Sequence, residues 1–181
     1  VSPGLVQAYE KLIDREVHLV PNVPPYTEVS PQPLKAGKIR LVHHGGFGPG
    51  RDLQGLIEAV KILGEGYELH FYLIGKESLT NKLRRAAEGA PVFFHEPVST
   101  DLIAQAINQY DIGVYLLRGE NFNNKYAMPN KLFEFVQARL AIVTSPNHEM
   151  RQFILENEIG RVTAECNGIS LAQTVREMKP D

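Results

Sequence analysis

The sequence predicts an α/β fold, a doubly wound parallel sheet of about six strands with helices on both faces. From residue 39 onward, short apolar runs alternate strictly with segments in which apolar residues recur at helical spacing. Strands that alternate with helices need crossover connections, and such connections produce a parallel sheet. The composition, with 43% apolar and 22% charged residues in a chain of 181, is typical of a globular protein.

The first 38 residues do not follow this alternation. A serine and a proline, Ser2 and Pro3, form a typical helix start, and the apolar spacing after them predicts a helix over residues 2–15. The apolar run VHLV predicts a short strand at residues 17–20, and the five prolines that follow indicate a linker. The expected division of the chain is a tail of a preceding N-terminal domain at 1–20, a proline-rich linker at 21–38 and a main domain at 39–181.

Within the main domain, each strand is predicted from a short run of β-branched, aromatic and other apolar residues. In order, these runs are IRLVH (39–43), ELHFYLI (68–74), VFFH (92–95), DIGVYLL (111–117), LAIVT (140–144) and GRVT (160–163). Between the runs, apolar residues recur at three- and four-residue spacing, which predicts helices. The expected helices cover 52–63, 78–88, 101–109, a segment beginning at Pro129, 148–157 and 168–178.

Bulk properties exclude several classes of function. The net charge of −2 provides no overall positive field for nucleic acid, so no nucleic-acid partner is expected. The single cysteine, Cys166, cannot form an intramolecular disulfide and favours a reducing, cytoplasmic location. No apolar run approaches the ~20 residues of a membrane span. The chain begins with Val1 rather than methionine, without a signal peptide, which suggests a piece of a longer protein.

The predicted topology gives a position for a ligand before any motif is considered. Six strands with crossover helices suit the order 3-2-1-4-5-6, in which the chain reverses direction between strands one and four. Ligands of such sheets bind in the crevice at the carboxyl ends of those two strands. The rule points to residues 43–52 after the first strand and residues 117–130 after the fourth.

The first of these loops, HHGGFGPGRD, is rich in glycine and ends at a helix start. Glycine allows the backbone to approach a ligand closely, and the free N–H groups of a helix start favour an anion. Arg51 adds a full positive charge. The dinucleotide pattern Gly-x-Gly-x-x-Gly fails, because Gly46 and Gly48 fit but position 51 is arginine, and the P-loop signature is absent. A plain glycine-rich turn is the alternative, and the position at the switch point favours a phosphate site.

The second loop, RGENFNNKYAMP, is long and polar, and it leads into the helix that begins at Pro129. Helical geometry places Asn130, Lys131 and Glu134 on one face. A lysine at the start of a helix suits a diphosphate, and a carboxylate one turn deeper suits the vicinal hydroxyls of a ribose. The alternative is an exposed salt bridge between Lys131 and Glu134, worth a few tenths of a kcal/mol.

These two loops, together with PNKLFEFV, resemble the C-terminal, donor-binding domain of GT-B-type retaining glycosyltransferases, the group 1 family. The similarity covers most of residues 17–175. LVHHGGFGPGRDLQGLIEAVKIL is similar to the family's first strand, phosphate loop and helix. The most specific stretch is PNKLFEFVQARLAIVTSPNHEMRQFILENEIGRV, which resembles the family's glutamate helix, the strand after it and the next helix.

The resemblance assigns expected roles to individual residues. Glu134 corresponds to the ribose-binding glutamate, and Arg51 takes the place of the lysine that reaches the diphosphate. Lys131 is expected to support the same phosphates, and the loop from His95 to Val98 is expected to hold the nucleobase, largely through backbone groups. The expected donor-binding residues are Gly45, Gly46, Gly48, Arg51, His95, Val98, Asn130, Lys131 and Glu134.

Two positions depart from the family pattern. The family's arginine directly after the first-loop glycine is here Gly46, and the glutamate often found eight positions before the ribose glutamate is here Tyr126. Both departures concern the phosphates and the donor sugar. Bacterial surface-polysaccharide transferases with P-x-K-L-x-E-Y helices show a similar pattern.

The implied activity is that of the donor half of an enzyme that transfers a sugar from a UDP- or GDP-linked donor to an acceptor. Bacterial surface polysaccharide or glycolipid synthesis is the expected context, at the inner face of the membrane with a membrane-associated glycolipid acceptor. The expected partners are the nucleotide sugar and the chain's own N-terminal domain. We expect no cofactor and no metal. The fragment alone is expected to be inactive, because GT-B-type sites lie between two domains and the catalytic groups belong largely to the other one.

Other readings of the sequence remain open. UDP-sugar 2-epimerases share the GT-B architecture and would use similar loops. A phospho-receiver or a flavodoxin-type module is disfavoured, because a receiver needs acidic residues after strands one and three, where Arg51 and His95 occur. His43 and His44 are adjacent in a strand, so their side chains point to opposite faces and cannot chelate one metal. His95 and His148 have no partner at zinc spacing.

Overall fold

A sheet of six parallel strands forms the centre of the structure, a computed structural model that describes residues 2–34 and 37–178. The strand order is β3-β2-β1-β4-β5-β6, which confirms the predicted doubly wound topology. The strands are β1 (Ile39–Gly46), β2 (Tyr67–Ile74), β3 (Val92–His95), β4 (Ile112–Tyr115), β5 (Ala141–Thr144) and β6 (Gly160–Val162).

Helices cover both faces of this sheet, as the sequence predicts. Their bounds are α1 (Pro3–Ile13), α2 (Leu53–Leu63), α3 (Glu77–Ala86), α4 (Ile103–Ile107), α5 (Phe122–Lys125), α6 (Asn130–Gln137), α7 (His148–Glu156) and α8 (Gly168–Glu177). Apolar residues of α2, α3 and α8 form one buried cluster with the sheet. Apolar residues of α4, α6 and α7 form a second cluster on the opposite face. The fold is therefore Rossmann-like, with one hydrophobic core on each side.

The pairing of β1 creates the crevice at the switch point. β1 pairs with β2 over its full length, from Ile39↔Tyr67 to Gly46↔Ile74. Its pairing with β4 covers only Leu41↔Ile112 and Val42↔Gly113. Beyond that register the carboxyl ends of β1 and β4 are no longer paired, and residues of both following loops, among them Gly48, Arg51 and Leu117, line a hollow at this end of the sheet.

Close packing of α6 on the sheet depends on a glycine in β4. A Cβ atom added at Gly113 would lie 2.5 Å from the ring of Phe135, which is closer than any carbon contact allows. The missing side chain lets Phe135, fully buried on α6, rest directly on the strand. This contact fixes how near the amino end of α6 lies to the cleft.

The N-terminal segment differs in part from the prediction. The predicted helix is present as α1, but the predicted strand at residues 17–20 is wrong, because those residues form no strand. Leu19 and Val20 are 47% and 73% exposed, and no described strand lies beside them to pair with their backbone. A strand needs such a neighbour, which an apolar run alone cannot supply.

The proline-rich segment is extended and attached to the domain by hydrogen bonds. Residues 21–34 contain no helix or strand, and the division of the chain into a tail, a linker and a main domain stays a prediction. Residues 35 and 36 of the predicted linker lie outside the described residues, as do residue 1 and residues 179–181 of the predicted domains. The backbone N–H of Thr27 donates to Oε1 of Gln137 at 3.0 Å, and Gln137 donates to the carbonyl of Pro25 at 3.3 Å. The segment therefore lies against the carboxyl end of α6.

Candidate functional site

A cleft of about 340 Å³ lies at the carboxyl ends of β1 and β2 and the amino end of α6, next to the switch point where the topology predicts a ligand. Its walls come from four places, which are the end of β1 with the glycine loop, the end of β2, the segment from the loop after β3 to the start of α4, and the amino end of α6. The first predicted loop and the last residues of the second, Pro129 and Asn130, therefore meet at one cavity. The volume is within the range of cavities that hold small ligands.

Glycine residues shape the first wall. β1 continues to Gly46, so the loop proper is shorter than the predicted 43–52. Gly45 has a φ of +101°, a conformation that residues with a side chain rarely adopt. Gly48 packs against the guanidinium of Arg51, where an added Cβ would lie 3.2 Å from Cζ. Gly48 faces neighbouring hollows rather than the cleft itself.

Arg51 links the two loops of the switch point. Its backbone forms an isolated antiparallel bridge with Leu117, and its Nη1 donates to the carbonyl of Gly46. The neighbouring Asp52 N–H donates to the carbonyl of Leu116 at 3.0 Å. Arg51 is only partly buried and lines the cleft, so its guanidinium is available to bind an anion there.

Lys131 lies in the first turn of α6, and its charge is buried, because the residue is only 6% exposed. Nζ donates to the carbonyl of His44 at 2.6 Å and lies 3.3 Å from Nε2 of His43. It also lies 4.3 Å from the centre of the Tyr115 ring, within cation–π range. Burial, and secondarily the charge of Arg51, lower the pKa of Lys131 well below its ordinary value, while Glu134 opposes that shift.

His43 completes the surroundings of this ammonium group. It is fully buried, and its Nδ1 lies 2.9 Å from the carbonyl of Val114. A carbonyl only accepts, so Nδ1 carries the proton and the Nε2 lone pair is free to accept from Lys131. Burial, and secondarily Lys131, lower the pKa of His43 well below 6.5, so the ring is neutral. His43 therefore holds Lys131 in place and does not reach the cleft.

Glu134, one turn deeper in α6, lines the same cleft and is only 8% exposed. Burial raises the pKa of its carboxyl, with Lys131 acting in the opposite sense. The alternative of an exposed Lys131–Glu134 salt bridge is wrong, because both residues are buried and no such ion pair occurs in the described part of the chain. The ionisable group nearest to Glu134 is His44, whose Nε2 lies 3.3 Å from Oε2.

The remaining predicted residues divide between the cleft and its surroundings. Val98 and Asn130 line the cleft, as do Gly45 and Gly46. The side chain of His95 turns away from it, since Nε2 lies 2.9 Å from Nδ1 of His70 and the ring stacks on Tyr72. The sequence analysis expects the loop from His95 to Val98 to hold the nucleobase largely through backbone groups, and that role of the loop stays a prediction.

Several residues of the cleft are not predicted from the sequence as parts of a site, among them His44 and Tyr72. The sequence argument excludes His44 only as a metal ligand, and it assigns Tyr72 no role. The two are register partners in the β1–β2 pairing, so they lie side by side on the same face of the sheet. This pairing depends on the register between β1 and β2. Continuous apolar runs predict that two strands exist but not which residue of one lies beside which residue of the other.

Buried polar groups hold the second loop in position. The Oγ of Ser145, at the end of β5, accepts from the backbone N–H of Leu117 at 2.8 Å and contacts Oδ1 of Asn147 at 2.7 Å. Asn147 donates in turn to the carbonyl of Asn124 at 2.8 Å. Residues 122–125 form α5, a short helix in a segment predicted as loop. The loop beside the cleft is thus anchored to β5 and the start of α7.

The described residues contain neither a cluster suited to a metal ion nor a helix suited to a membrane crossing. Across residues 2–34 and 37–178, no group of three or more His, Cys, Asp or Glu side chains is arranged to hold a metal ion. None of the helices in this part of the chain combines the length and the apolarity that a membrane crossing requires. Cys166 is a free, partly buried thiol whose pKa is raised by burial.

The part of the chain that matches a known protein family is the part that forms the sheet. The family model of the glycosyl transferases group 1 matches residues 38–180. No curated protein matches the chain in sequence. The match begins one residue before β1, so it takes in the whole sheet and leaves out α1 and the extended segment.

Solved structures of similar fold include three of known source. The C-terminal domain of the glycosyl transferase group 1 family protein LpcC from Francisella tularensis has a TM-score of 0.58 at 16% identity, covering 77% of this chain and 74% of LpcC's. The catalytic domain of cholesterol-α-glucosyltransferase from Helicobacter pylori has a TM-score of 0.56 at 15% identity, covering 76% and 83%. The S. aureus MnaA–UDP co-structure has a TM-score of 0.58 at 10% identity, covering 80% of this chain but only 37% of MnaA. At these identities the similarity concerns the fold.

Proposed function

The chain belongs to the group 1 glycosyl transferase family, and on that basis we propose that it is the donor-binding half of an enzyme that transfers a sugar from a nucleoside-diphosphate sugar. The observation that carries this proposal is the cleft at the switch point. In it a partly exposed arginine and the open start of a helix lie near a buried carboxylate. The cation and the helix start suit a diphosphate, and the carboxylate suits a ribose diol.

The diphosphate is proposed to lie between Arg51 and the amino end of α6. Pro129 is the N-cap of α6 and carries no side-chain cap, so the N–H groups of Asn130 and Lys131 have no partner within the helix. Arg51 offers a guanidinium in the same cleft. Lys131 contributes through its Nζ, which is bonded to the carbonyl of His44 beside Gly45. It thereby also fixes the glycine loop against which the phosphates would lie.

The nucleobase is proposed to enter between the loop after β3 and the start of α4. Pro97, Val98 and Ile103 line that side of the cleft, and apolar surfaces of this kind suit the face of a base. UDP is present in the co-structure of MnaA, a protein of similar fold. We therefore propose a UDP- or GDP-linked sugar as the donor.

The biological context is proposed from the family and from the similar structures. One of these is a cholesterol-α-glucosyltransferase, an enzyme whose acceptor is a lipid. We propose bacterial surface polysaccharide or glycolipid synthesis, with the protein at the cytoplasmic face of the membrane and with a second, N-terminal domain that contributes the acceptor site. A UDP-sugar 2-epimerase remains the alternative of similar architecture, and the match to the glycosyl transferase model favours the transferase.

A binding panel tests the proposed donor class. We expect UDP or GDP to bind the 181-residue chain at least tenfold more tightly than the corresponding nucleoside, because each charge-assisted phosphate contact contributes about 1.5–3 kcal/mol. Isothermal titration calorimetry with UDP, GDP, ADP, uridine and guanosine measures this. Equal affinity for nucleoside and diphosphate would show that the cleft does not bind phosphates.

The chain by itself is expected to show no sustained sugar transfer. The described cleft supplies groups suited to a donor, whereas the acceptor and most catalytic groups are proposed to belong to the other domain. Incubation with UDP- and GDP-sugars and lipid or saccharide acceptors, followed by product analysis, checks this. Multiple turnovers by the purified chain would mean that donor and acceptor sites both lie within these residues.

A further inference from the structure

His44 presents a buried polar atom for which the protein supplies no hydrogen bond. The residue is 6% exposed, and its ring packs edge-on against Phe135, with centroids 5.2 Å apart. Nε2 is buried without a hydrogen-bonding partner, although Oε2 of Glu134 lies 3.3 Å away, because the two groups are not aligned for a hydrogen bond. A buried polar atom in this state costs about 1–3 kcal/mol, so it needs an explanation.

The protonation states of the two side chains limit what could lie between them. Burial, and secondarily the charge of Lys131, lower the pKa of His44 to about 3, so the imidazole is neutral. A neutral imidazole has one N–H donor, and the neighbouring carboxylate favours the tautomer with that proton on Nε2. Glu134, when ionised, only accepts hydrogen bonds. The cleft therefore presents one donor and one acceptor side by side.

A hydroxyl group satisfies both partners at once. It can accept a hydrogen bond from Nε2–H and donate its own proton to a carboxylate oxygen. A phosphate oxygen would be repelled by Glu134, and a metal ion would lack a third ligand among the described residues. The hydroxyl of Tyr72, in the cleft wall, is already bonded to the hydroxyl of Tyr110 at 2.9 Å. A ligand hydroxyl that enters the cleft in place of water can supply both bonds.

We propose that His44 is a specificity-determining contact of the donor site, whose Nε2–H donates to the same ribose hydroxyl that donates to Glu134. This inference rests on the proposed function, since it takes the ligand to be a nucleotide. The proposal gives His44 a role in selecting the ligand as well as in packing the cleft wall. Glu134 alone would accept a hydrogen bond from any nearby donor, whereas His44 and Glu134 together require a ligand group that both accepts and donates. The site would therefore select ribose over deoxyribose.

The test combines protein variants with nucleotide analogues. UDP or GDP, whichever binds, is compared with its 2′-deoxy and 3′-deoxy forms on the unsubstituted chain and on His44→Phe, which keeps the ring and its packing on Phe135. We expect His44→Phe to weaken binding of the ribonucleotide by about five- to tenfold, the effect of one hydrogen bond. Against one of the two deoxy analogues, the same variant should lose less than about twofold, because the contact is already missing.

Two further variants separate this role from a structural one. His44→Gln can place an amide donor near the position of Nε2 and should recover most of the affinity for the ribonucleotide. His18→Phe removes an exposed histidine of the N-terminal segment that does not line the cleft, and its affinity should be unchanged. An equal loss against the ribonucleotide and both deoxy analogues, or no loss at all, would overturn the role of His44. Absence of nucleotide binding by the unsubstituted chain would instead contradict the proposed function, and this inference with it.

Discussion

Replacing Glu134 by glutamine is expected to weaken binding of UDP or GDP by about tenfold or more. The substitution keeps the size of the side chain and one acceptor oxygen but removes the charge, and hydrogen bonds to charged groups contribute about 1.5–3 kcal/mol. The carboxylate is 8% exposed and lines the cleft, so its contact with a ribose would be shielded from water. Affinities measured by calorimetry for the two forms of the protein give the effect directly.

A nucleotide without the ribose hydroxyls isolates the contact itself. The matching 2′,3′-dideoxy nucleotide should bind the unsubstituted chain and Glu134→Gln almost equally, because the contact is absent in both cases. Glu149→Gln is the matched control. That carboxylate is 3% exposed but accepts from the backbone N–H of Gly4 at 2.8 Å, and it does not line the cleft. A coupling energy near zero in the double-mutant cycle would leave Glu134 without a role in ribose binding.

Replacing Arg51 by alanine is expected to weaken binding of UDP or GDP by about ten- to a hundredfold and to leave binding of uridine or guanosine nearly unchanged. Arg51 offers the most accessible cation in the described cleft, and a charge-assisted contact with a phosphate contributes about 1.5–3 kcal/mol. The ratio of nucleoside to nucleotide affinity is the informative quantity, because it cancels any effect of the substitution on the base and ribose.

Two other substitutions define what the Arg51 result means. Arg161→Ala removes one positive charge from an exposed position on β6, at the edge of the sheet, and should leave both affinities unchanged. Lys131→Met should weaken diphosphate binding and also lower the free energy of unfolding, because the carbonyl of His44 and Nε2 of His43 then lose their donor. Equal losses for nucleoside and nucleotide in Arg51→Ala would mean that Arg51 supports the loops rather than the ligand.

The topology and the location of the site could be predicted from the sequence because both follow from order along the chain. Alternation of strand and helix determines a parallel sheet, and the order 3-2-1-4-5-6 determines the switch point. The strand at residues 17–20 was wrongly predicted for the opposite reason. Its apolar residues match a strand pattern, but pairing depends on a neighbouring strand, which a local pattern cannot reveal.

The electrostatic character of the site was beyond the sequence argument. Spacing alone placed Lys131 and Glu134 on one face and left an exposed ion pair as the alternative. Their burial depends on how closely α6 packs against β4, which in turn depends on Gly113 opposite Phe135. The position of His44 beside Glu134 likewise arises from tertiary packing between β1 and α6. Contacts between distant elements of this kind set the charges and the hydrogen bonds of the cleft.

Backbone amide chemical shifts, followed while UDP or GDP is titrated into the 181-residue chain, test directly whether a nucleoside diphosphate binds at the switch point. We expect the largest changes in residues 44–51, residues 97–103 and residues 129–134, because each of these segments contributes residues that line the cleft. The amides of β6 around Val162, three strands away from β1, should stay unchanged. Shift changes confined to β6 and the adjoining part of α7, with none in the three cleft segments, would contradict the proposed site.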